Sequence, residues 1–426
     1  NLLTLSGSTQ ISGSATSTGS FGHVKIPNGN IDIMTGNANT RVGIGKLNMR
    51  SKSSKKFTID DLVKISDICK ENSIRTYITL NTVIYDHELE IMREIVDAAK
   101  TSNITAIIAS DQSVIQYAYS AGMEIHMSTQ ANITNIEAVK YYSQFADVMV
   151  TARELEIQQV KEITDAIKNQ DICGPSGDLV QIEVFAHGAL CMAVSGKCYL
   201  SLDNLNSSAN RGACLQQCRR KYTVTDKETG EQLEIDNEYI MSPKDLNTVA
   251  LLDRIIDAGV RVLKVEGRGR SPEYVKTIVA VYREAVNACF EGQYNQENID
   301  IWNARLSTVY NRGFWEGNYM GKKFGEWTED YGNQATQRKM YIGKITNYYN
   351  KQGVAEVKIE TNDLNVGDEI KILGETTGVY ESYIDEIRLN LEPVKTVIKG
   401  DVCSIKTSEL VRRGDKMYKM MTTAIS

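Results

Sequence analysis

The chain has 426 residues, 42% of them hydrophobic and 24% charged, with a formal net charge of −6 and a pI of about 5.5. That length gives room for two to three domains, each able to bury a core, and the charge balance excludes a general nucleic-acid coat, leaving only local basic patches for such contacts. No apolar run reaches the roughly twenty residues that span a bilayer, and the opening NLLTLSGSTQISGSATS lacks the basic start of a signal peptide, so a cytoplasmic protein without membrane attachment is expected.

Residues 1–40 form an atypical segment rich in Ser, Thr and Gly, with LLTL at 2–5 as a possible first strand. From Arg41 onward, short β-branched runs alternate with amphipathic helices. The runs are RVGIG (41–45), RTYITLN (75–81), ITAIIAS (104–110), EIHMST (124–129), DVMVTA (147–152), VQIEVFA (180–186) and RVLKVEG (261–267). Being apolar on consecutive positions, they read as parallel strands buried on both faces. Helical periodicity covers 58–72, 87–103, 135–145, 155–170, 242–259 and 271–292. The first of these opens with Thr58 three residues before Asp61, a capping-box-like start.

This alternation predicts an α/β fold, a (β/α)8 TIM-type barrel over 41–300, with the eighth strand supplied by 2–5 or by EYIMS at 238–242. No G-x-G-x-x-G follows a strand, which argues against a dinucleotide-binding sheet. Residues 301–338, Gly- and aromatic-rich in their centre, read as a linker. Residues 339–426 carry short alternating segments separated by turns, as in a small antiparallel β-barrel.

Function concentrates in the loop 187–222, which holds Cys191, Cys198, Cys214 and Cys218. Four thiolates close a site for zinc or an iron–sulfur cluster. Neither pair has the tight C-x-x-C spacing of zinc knuckles, so the loose spacing favours an iron–sulfur cluster, with zinc and unmodified core thiols as alternatives. Cys69, Cys173, Cys289 and Cys403 are scattered and read as packing residues.

The loop leaves the strand that ends at Ala186, so a metal site would lie at the barrel mouth, where strand ends gather polar groups. The candidates for catalysis there are His187, Glu266, Arg268, Arg153 and Glu154. The candidates for substrate binding are Asn81, Ser128, Gln130 and Asn132, together with Arg219 and Arg220 from the basic cluster at 211–221; Ser110, Asp111, Thr129 and Asn135 lie close by. His187 either carries protons or orients the loop, Glu266 and Arg268 either bind substrate or pair with each other, and His126 reads as a satisfied interior residue. There is no H-E-x-x-H and no G-x-S-x-G, and a Cys191–His187 dyad would take one ligand from the four-cysteine set.

EVFAHGALCMAVSGKCYLS resembles the signature of peptidase family U32, the collagenase-like group, and NRGACLQQCRRKY resembles its branch of bacterial tRNA hydroxylation proteins. KLNMR (46–50), TLNT (79–82), HMSTQANITN (126–135), SPKDL (242–246), KVEGR (264–268) and YNRGFWEG (310–317) are similar to further family blocks. The resemblance implies a (β/α)8 barrel with a C-terminal β domain and a 4Fe–4S cluster on Cys191, Cys198, Cys214 and Cys218. It implies oxygen-independent, prephenate-dependent hydroxylation of the wobble uridine of tRNA to 5-hydroxyuridine. The expected partners are tRNA, engaged by 211–221 and the β domain, prephenate, and an electron or sulfur-assembly protein. A collagenase-like peptidase and a non-catalytic metal-site scaffold or maturation partner are the alternatives.

The family opens with a strand ending in A-P-A-G and then a helix. Here Thr4-Leu5-Ser6-Gly7 stands in that place and residues 9–40 do not resemble the helix, so one side of the barrel is expected to be open. In the C-terminal region, LNVGDEIKIL followed by KGDVCSI is similar to the second domain of translation elongation factors.

Overall fold

A computed structural model describes residues 59–71, 74–211, 214–223, 225–230, 241–267, 270–321, 326–328, 332–374 and 376–423, and before residue 59 only short strand segments. The parallel sheet consists of β1 (Gln10–Gly13), β2 (Tyr77–Leu80), β3 (Ala106–Ala109), β4 (Glu124–Met127), β5 (Val148–Val150), β6 (Gln181–Gly188) and, beyond the short β7 (Asp245–Asn247), β8 (Val262–Val265). Their spatial order is β1-β8-β6-β5-β4-β3-β2, every neighbouring pair parallel. Runs such as AIIA in β3 and VLKV in β8 are buried at every position, as strands covered on both faces require.

The helices α1 (Ile59–Glu71), α2 (Leu89–Thr101), α3 (Gln112–Ser120), α4 (Ile136–Tyr142) and α5 (Ile157–Asn169) link successive strands. Two polar residues that looked like site candidates prove to be caps. The Asp111 carboxylate accepts the Ser113 backbone N–H (3.0 Å) at the start of α3, and the Asn135 side-chain oxygen accepts that of Ala138 (3.0 Å) at the start of α4.

The expected (β/α)8 closure is not found among the described residues: no pairing joins β2 to β1. Closure demands that every strand be paired on both edges, and the first unit does not supply the missing ones. Arg41–Val42, from the run at 41–45, pairs with Lys56–Phe57 away from the main sheet. Leu3–Thr4, from the run at 2–5, lies antiparallel to β1 at its edge. The alternative eighth strand at 238–242 falls mainly outside the described residues, as do Thr58 and Arg268.

The stretch 242–259, expected as one helix, divides into β7 and α7 (Leu252–Asp257), the latter following α6 (Leu200–Leu205) of the cysteine loop. The division has a cause. Thr248 donates its backbone N–H to Tyr282 Oη (3.0 Å) and its hydroxyl to the Ala186 carbonyl (2.9 Å), which draws β7 alongside the end of β6, His187 opposite Asn247. The expected linker 301–338 begins inside a helix. After α8 (Pro272–Glu291), α9 runs from Gln296 to Ser307, and β9 (Phe314–Trp315) then pairs with β7. That segment is a wall of the mouth.

The C-terminal domain is an antiparallel sheet of β10 (Gln337–Tyr349), β11 (Val354–Ile359), β12 (Glu369–Gly374), β13 (Gly378–Tyr383), β14 (Ile387–Leu389), β15 (Glu392–Val394), β16 (Val402–Lys406) and β17 (Lys416–Thr422). Its order is β13-β12-β17-β10-β11-β16-β14-β15, open rather than closed as a barrel among the described residues, around a core that includes Ile342, Val357, Ile370 and Met417. Helix α8 holds this domain. Lys276 pairs with Glu381 (2.7 Å), and Glu273 pairs with Lys339.

Candidate functional site

The cysteine loop begins at a position that only glycine tolerates. Gly188 has φ +112°, and a Cβ there would lie 2.4 Å from the Glu266 carbonyl oxygen. From this turn the loop spreads over the strand ends and is fastened by arginines. Arg219 donates to the carbonyls of Leu190 (2.6 Å) and Pro243 and to the Ser242 hydroxyl (3.0 Å), joining the two ends of the loop to the approach of β7. Arg211 forks onto Glu88, donates to the Val83 carbonyl (3.1 Å) and lies 4.1 Å over the Tyr85 ring. The Arg211 hydrogen bond holds the Glu88 carboxyl below its usual range. Arg219 is therefore taken up by Leu190 of the loop and by Ser242 and Pro243 ahead of β7, whereas Arg220 is exposed.

Cys191 and Cys214 are exposed, Cys198 and Cys218 half-buried, and none is in a disulfide. Burial pushes the Cys218 thiol up, opposed by the nearby Arg219 and reinforced by Cys191, Cys214 and Cys198, so the four thiols share one neighbourhood. Among the described residues, no three ligating side chains converge closely enough for one ion. Four neighbouring thiols are a soft donor set of the kind that holds either an iron–sulfur cluster or a zinc ion.

Beside the loop, four of the polar candidates form one hydrogen-bonded chain across the tops of β2 to β4. Asn81 donates to the Ser128 hydroxyl (2.8 Å), and the Ser110 hydroxyl reaches both the Asn81 carbonyl (3.0 Å) and Gln130 Oε1 (3.3 Å). Arg153 joins from the next strand, over the Phe185 ring and donating to the Ser195 hydroxyl of the loop (2.7 Å), which also lies 3.4 Å from Thr129 Oγ1. Glu154 and Asn132 are exposed. Asn132 ends the 129–131 turn at φ +53°, a left-handed conformation that asparagine tolerates, so its residue type already has a backbone explanation. Glu266 is tied in through its backbone, its N–H donating to the His187 carbonyl (2.7 Å) and its carbonyl accepting from Tyr274 Oη (3.2 Å).

His187 is 1% exposed, its ring enclosed by Tyr274, Tyr282 and Phe314 and its Nδ1 3.4 Å from Tyr282 Oη. Burial, and then the Arg270 charge, lower its pKa to about 3. Burial thus disfavours the protonated ring, and its enclosure by three aromatic rings and its contact with Tyr282 are what an orienting residue needs. The geometry supports the orienting role.

A pH dependence follows. The folded pKa lies below the unfolded value of 6.5, so on acidification the unfolded chain takes the proton first. The stability contribution is present above pH 6.5 and is lost as pH falls toward 3. Between pH 7 and 5 this group alone should cost about 2 kcal/mol. Urea unfolding at the two pH values checks it, with His187→Asn expected to show the flatter dependence.

Two buried charge clusters went unread in the sequence. Asp245 is fully buried; its Oδ1 accepts from Arg312 Nε and lies 3.0 Å from Arg312 Nη2, and its Oδ2 is 3.8 Å from Arg270. Arg270 stacks 3.6 Å from the Tyr310 ring centre. Burial, and then repulsion from Arg312, lower the pKa of nearby Arg219 to about 10. One carboxylate thus anchors an arginine-rich wall beside the thiols. The SPKDL and YNRGFWEG blocks hold Asp245 and Arg312, but nothing in either hints at the partner 67 residues away. Beneath the mouth, Lys264 pairs with Glu183 at 3.0 Å, both side chains 1% exposed. Here the signal was visible, as a charged residue inside each of the runs RVLKVEG and VQIEVFA.

The chain has relatives among known proteins. A collagenase of Porphyromonas gingivalis is 52% identical over 387 residues, covering 91% of this chain and 94% of its own. The tRNA hydroxylation protein P1 of Bacillus subtilis is 30% identical over 349 residues, 78% of each chain. The 23S rRNA 5-hydroxycytidine synthase of Escherichia coli is 28% identical over 388 residues, 89% of this chain and 52% of that protein. The family model described as Peptidase family U32 matches residues 33–329, from ahead of the first well-defined helix through the wall that carries Arg312, and the chain belongs to that family.

Proposed function

We propose that this protein is an RNA-modifying enzyme that hydroxylates the wobble uridine of tRNA to 5-hydroxyuridine without molecular oxygen, with prephenate as co-substrate. The observation that carries the reading is the loop of four neighbouring thiols held over a polar mouth by Arg211, Arg219 and Ser195. Relatives named for tRNA and rRNA hydroxylation, about 30% identical, support the same class of reaction. Cys191, Cys198, Cys214 and Cys218 would hold a 4Fe–4S cluster, which when bound would supply electron transfer or a Lewis-acidic iron. Asn81, Ser110, Ser128 and Gln130 offer a fixed set of donors and acceptors for a pyrimidine edge, and Arg153 offers a cation above Phe185 for a substrate anion. His187 keeps the root of the loop in place through Tyr282.

The test is nucleoside analysis of tRNA and rRNA from a strain lacking the protein. Loss of 5-hydroxyuridine, restored by the wild-type gene, is expected; an unchanged nucleoside profile would sink the reading. A second reading, a collagenase-like peptidase, is favoured by the name of the 52% identical relative. It predicts hydrolysis of denatured collagen by metal-free protein, whereas His187, the histidine of the loop, is buried within the rings of Tyr274, Tyr282 and Phe314.

A further inference from the structure

The C-terminal sheet carries an arrangement that sheets ordinarily avoid. Lys344 on β10 lies directly opposite Lys416 on β17 and directly opposite Lys358 on β11, so three exposed lysines form one row across three adjacent strands. Neighbouring strands are about 4.8 Å apart, and like charges placed directly opposite repel. Among the described residues one carboxylate serves the row: Glu360 accepts the Tyr341 hydroxyl (2.6 Å) and pairs with Lys344 (2.9 Å), and Tyr341, Lys344 and then Lys358 hold it below its usual range, while Lys416 has no ion-pair partner. One carboxylate against three lysines leaves the row with a surplus of positive charge that an anionic partner would match.

The row beside it is aromatic. Tyr341 is paired with Tyr418, rings edge to face at 5.6 Å, and Lys339 lies 5.2 Å over Tyr418. The bulge between Tyr341 and Gly343 takes up the buried Ile342, so that Tyr341 and Lys344 both project from the outer face. Toward the β12 side the same face is covered. Lys371, opposite Tyr418, is buried against Glu381, which also receives Lys276 of α8. Lys339 reaches Glu273 in the first turn of α8. That helix starts at Pro272, two residues beyond Arg270 in the wall of the mouth. The uncovered lysines therefore adjoin, through two tyrosines, the rim of the mouth itself.

We propose that this lysine–tyrosine face binds the sugar–phosphate backbone of an RNA and leads it to the mouth; the inference rests on the RNA reading given above and adds the surface that binds the substrate. A polyanion is the complement of the row, and adjacent tyrosine rings are platforms for unstacked bases. An anionic membrane would be met by a broad basic surface, and an acidic peptide would have no use for the aromatic pair.

The test is binding of labelled tRNA to the full-length protein at several salt concentrations. The triple variant K344Q/K358Q/K416Q, which alters only exposed side chains, is expected to lose about tenfold or more in affinity. Its plot of log affinity against log salt should become shallower by about 2 to 3 units. Tyr341→Leu should weaken binding while leaving that slope unchanged, and Lys161→Gln on α5 should change neither. Equal affinity and slope in the triple variant overturns the surface while leaving the proposed reaction standing. Binding by the wild type to phosphatidylserine vesicles but to no RNA also overturns it, in favour of a membrane. Conversely, a triple variant that loses RNA while nucleosides are unchanged in the deletion strain keeps the surface and removes the reaction.

Discussion

Protein carrying Cys214→Ser, purified without oxygen, is expected to lose the broad absorbance near ~400 nm and the complement of about four iron and four sulfide per chain that the wild type should carry. It should also fail to restore 5-hydroxyuridine in the deletion strain. The folded state should survive, and the structure says why. The loop is held by Arg219 on the carbonyls of Leu190 and Pro243, by Arg211 on Glu88 and by Arg153 on Ser195. None of these anchors uses a thiol, and Cys214 is exposed. Replacing sulfur by oxygen at such a site costs little stability in itself but removes the soft ligand that iron prefers. Loss of iron with an unchanged urea midpoint is therefore the specific signature. Full iron and sulfide in the variant would remove Cys214 from the ligand set, and a colourless wild type holding about one zinc would replace the cluster by a structural ion.

The residues differ in how much of this arrangement they disclosed, and the division is physical. β3, β5 and β8 lie within the runs at 104–110, 147–152 and 261–267, because short β-branched stretches bounded by helical periodicity admit little else. α3 was missed because Gln112–Ser120 is short and weakly patterned, although Asp111 ahead of it is a capping residue. The run at 41–45 has strand composition, but pairing is a tertiary matter, and Arg41–Val42 finds Lys56–Phe57 instead of the sheet edge. At the site, the cysteine loop was legible from ligand chemistry alone. What could not be read was which polar residues serve the fold. Arg219 looks like an RNA contact until its three acceptors are seen, and His187 looks like a base until its aromatic enclosure is seen. Strand-end position says that a side chain reaches the mouth; it does not say whether neighbouring backbone has already claimed it.

Asp245→Asn should be the most destabilising conservative change in the wall of the mouth, by about 3–5 kcal/mol in urea unfolding. The carboxylate is fully buried and is the acceptor for Arg312, which is itself 7% exposed, with Arg270 at 3.8 Å. Asparagine keeps the shape but removes the charge and can turn an amide donor toward guanidinium groups that are donors only. Two buried cations would then lack their counter-charge, and Arg219, already disfavoured by Arg312, would lose a favourable neighbour. The damage should spread along the chain, because Asp245 begins β7, which pairs with both β6 and β9. Removing the stranded cation tests the cause. In the double variant Asp245→Asn/Arg312→Met the buried charge without a partner is gone, so the combined loss should be smaller than the sum of the two single losses by about 0.5–3 kcal/mol. Additive losses would mean that Asp245 acts through strand geometry alone. A single-variant loss under about 1 kcal/mol would mean that the arginine wall is balanced by something other than this carboxylate.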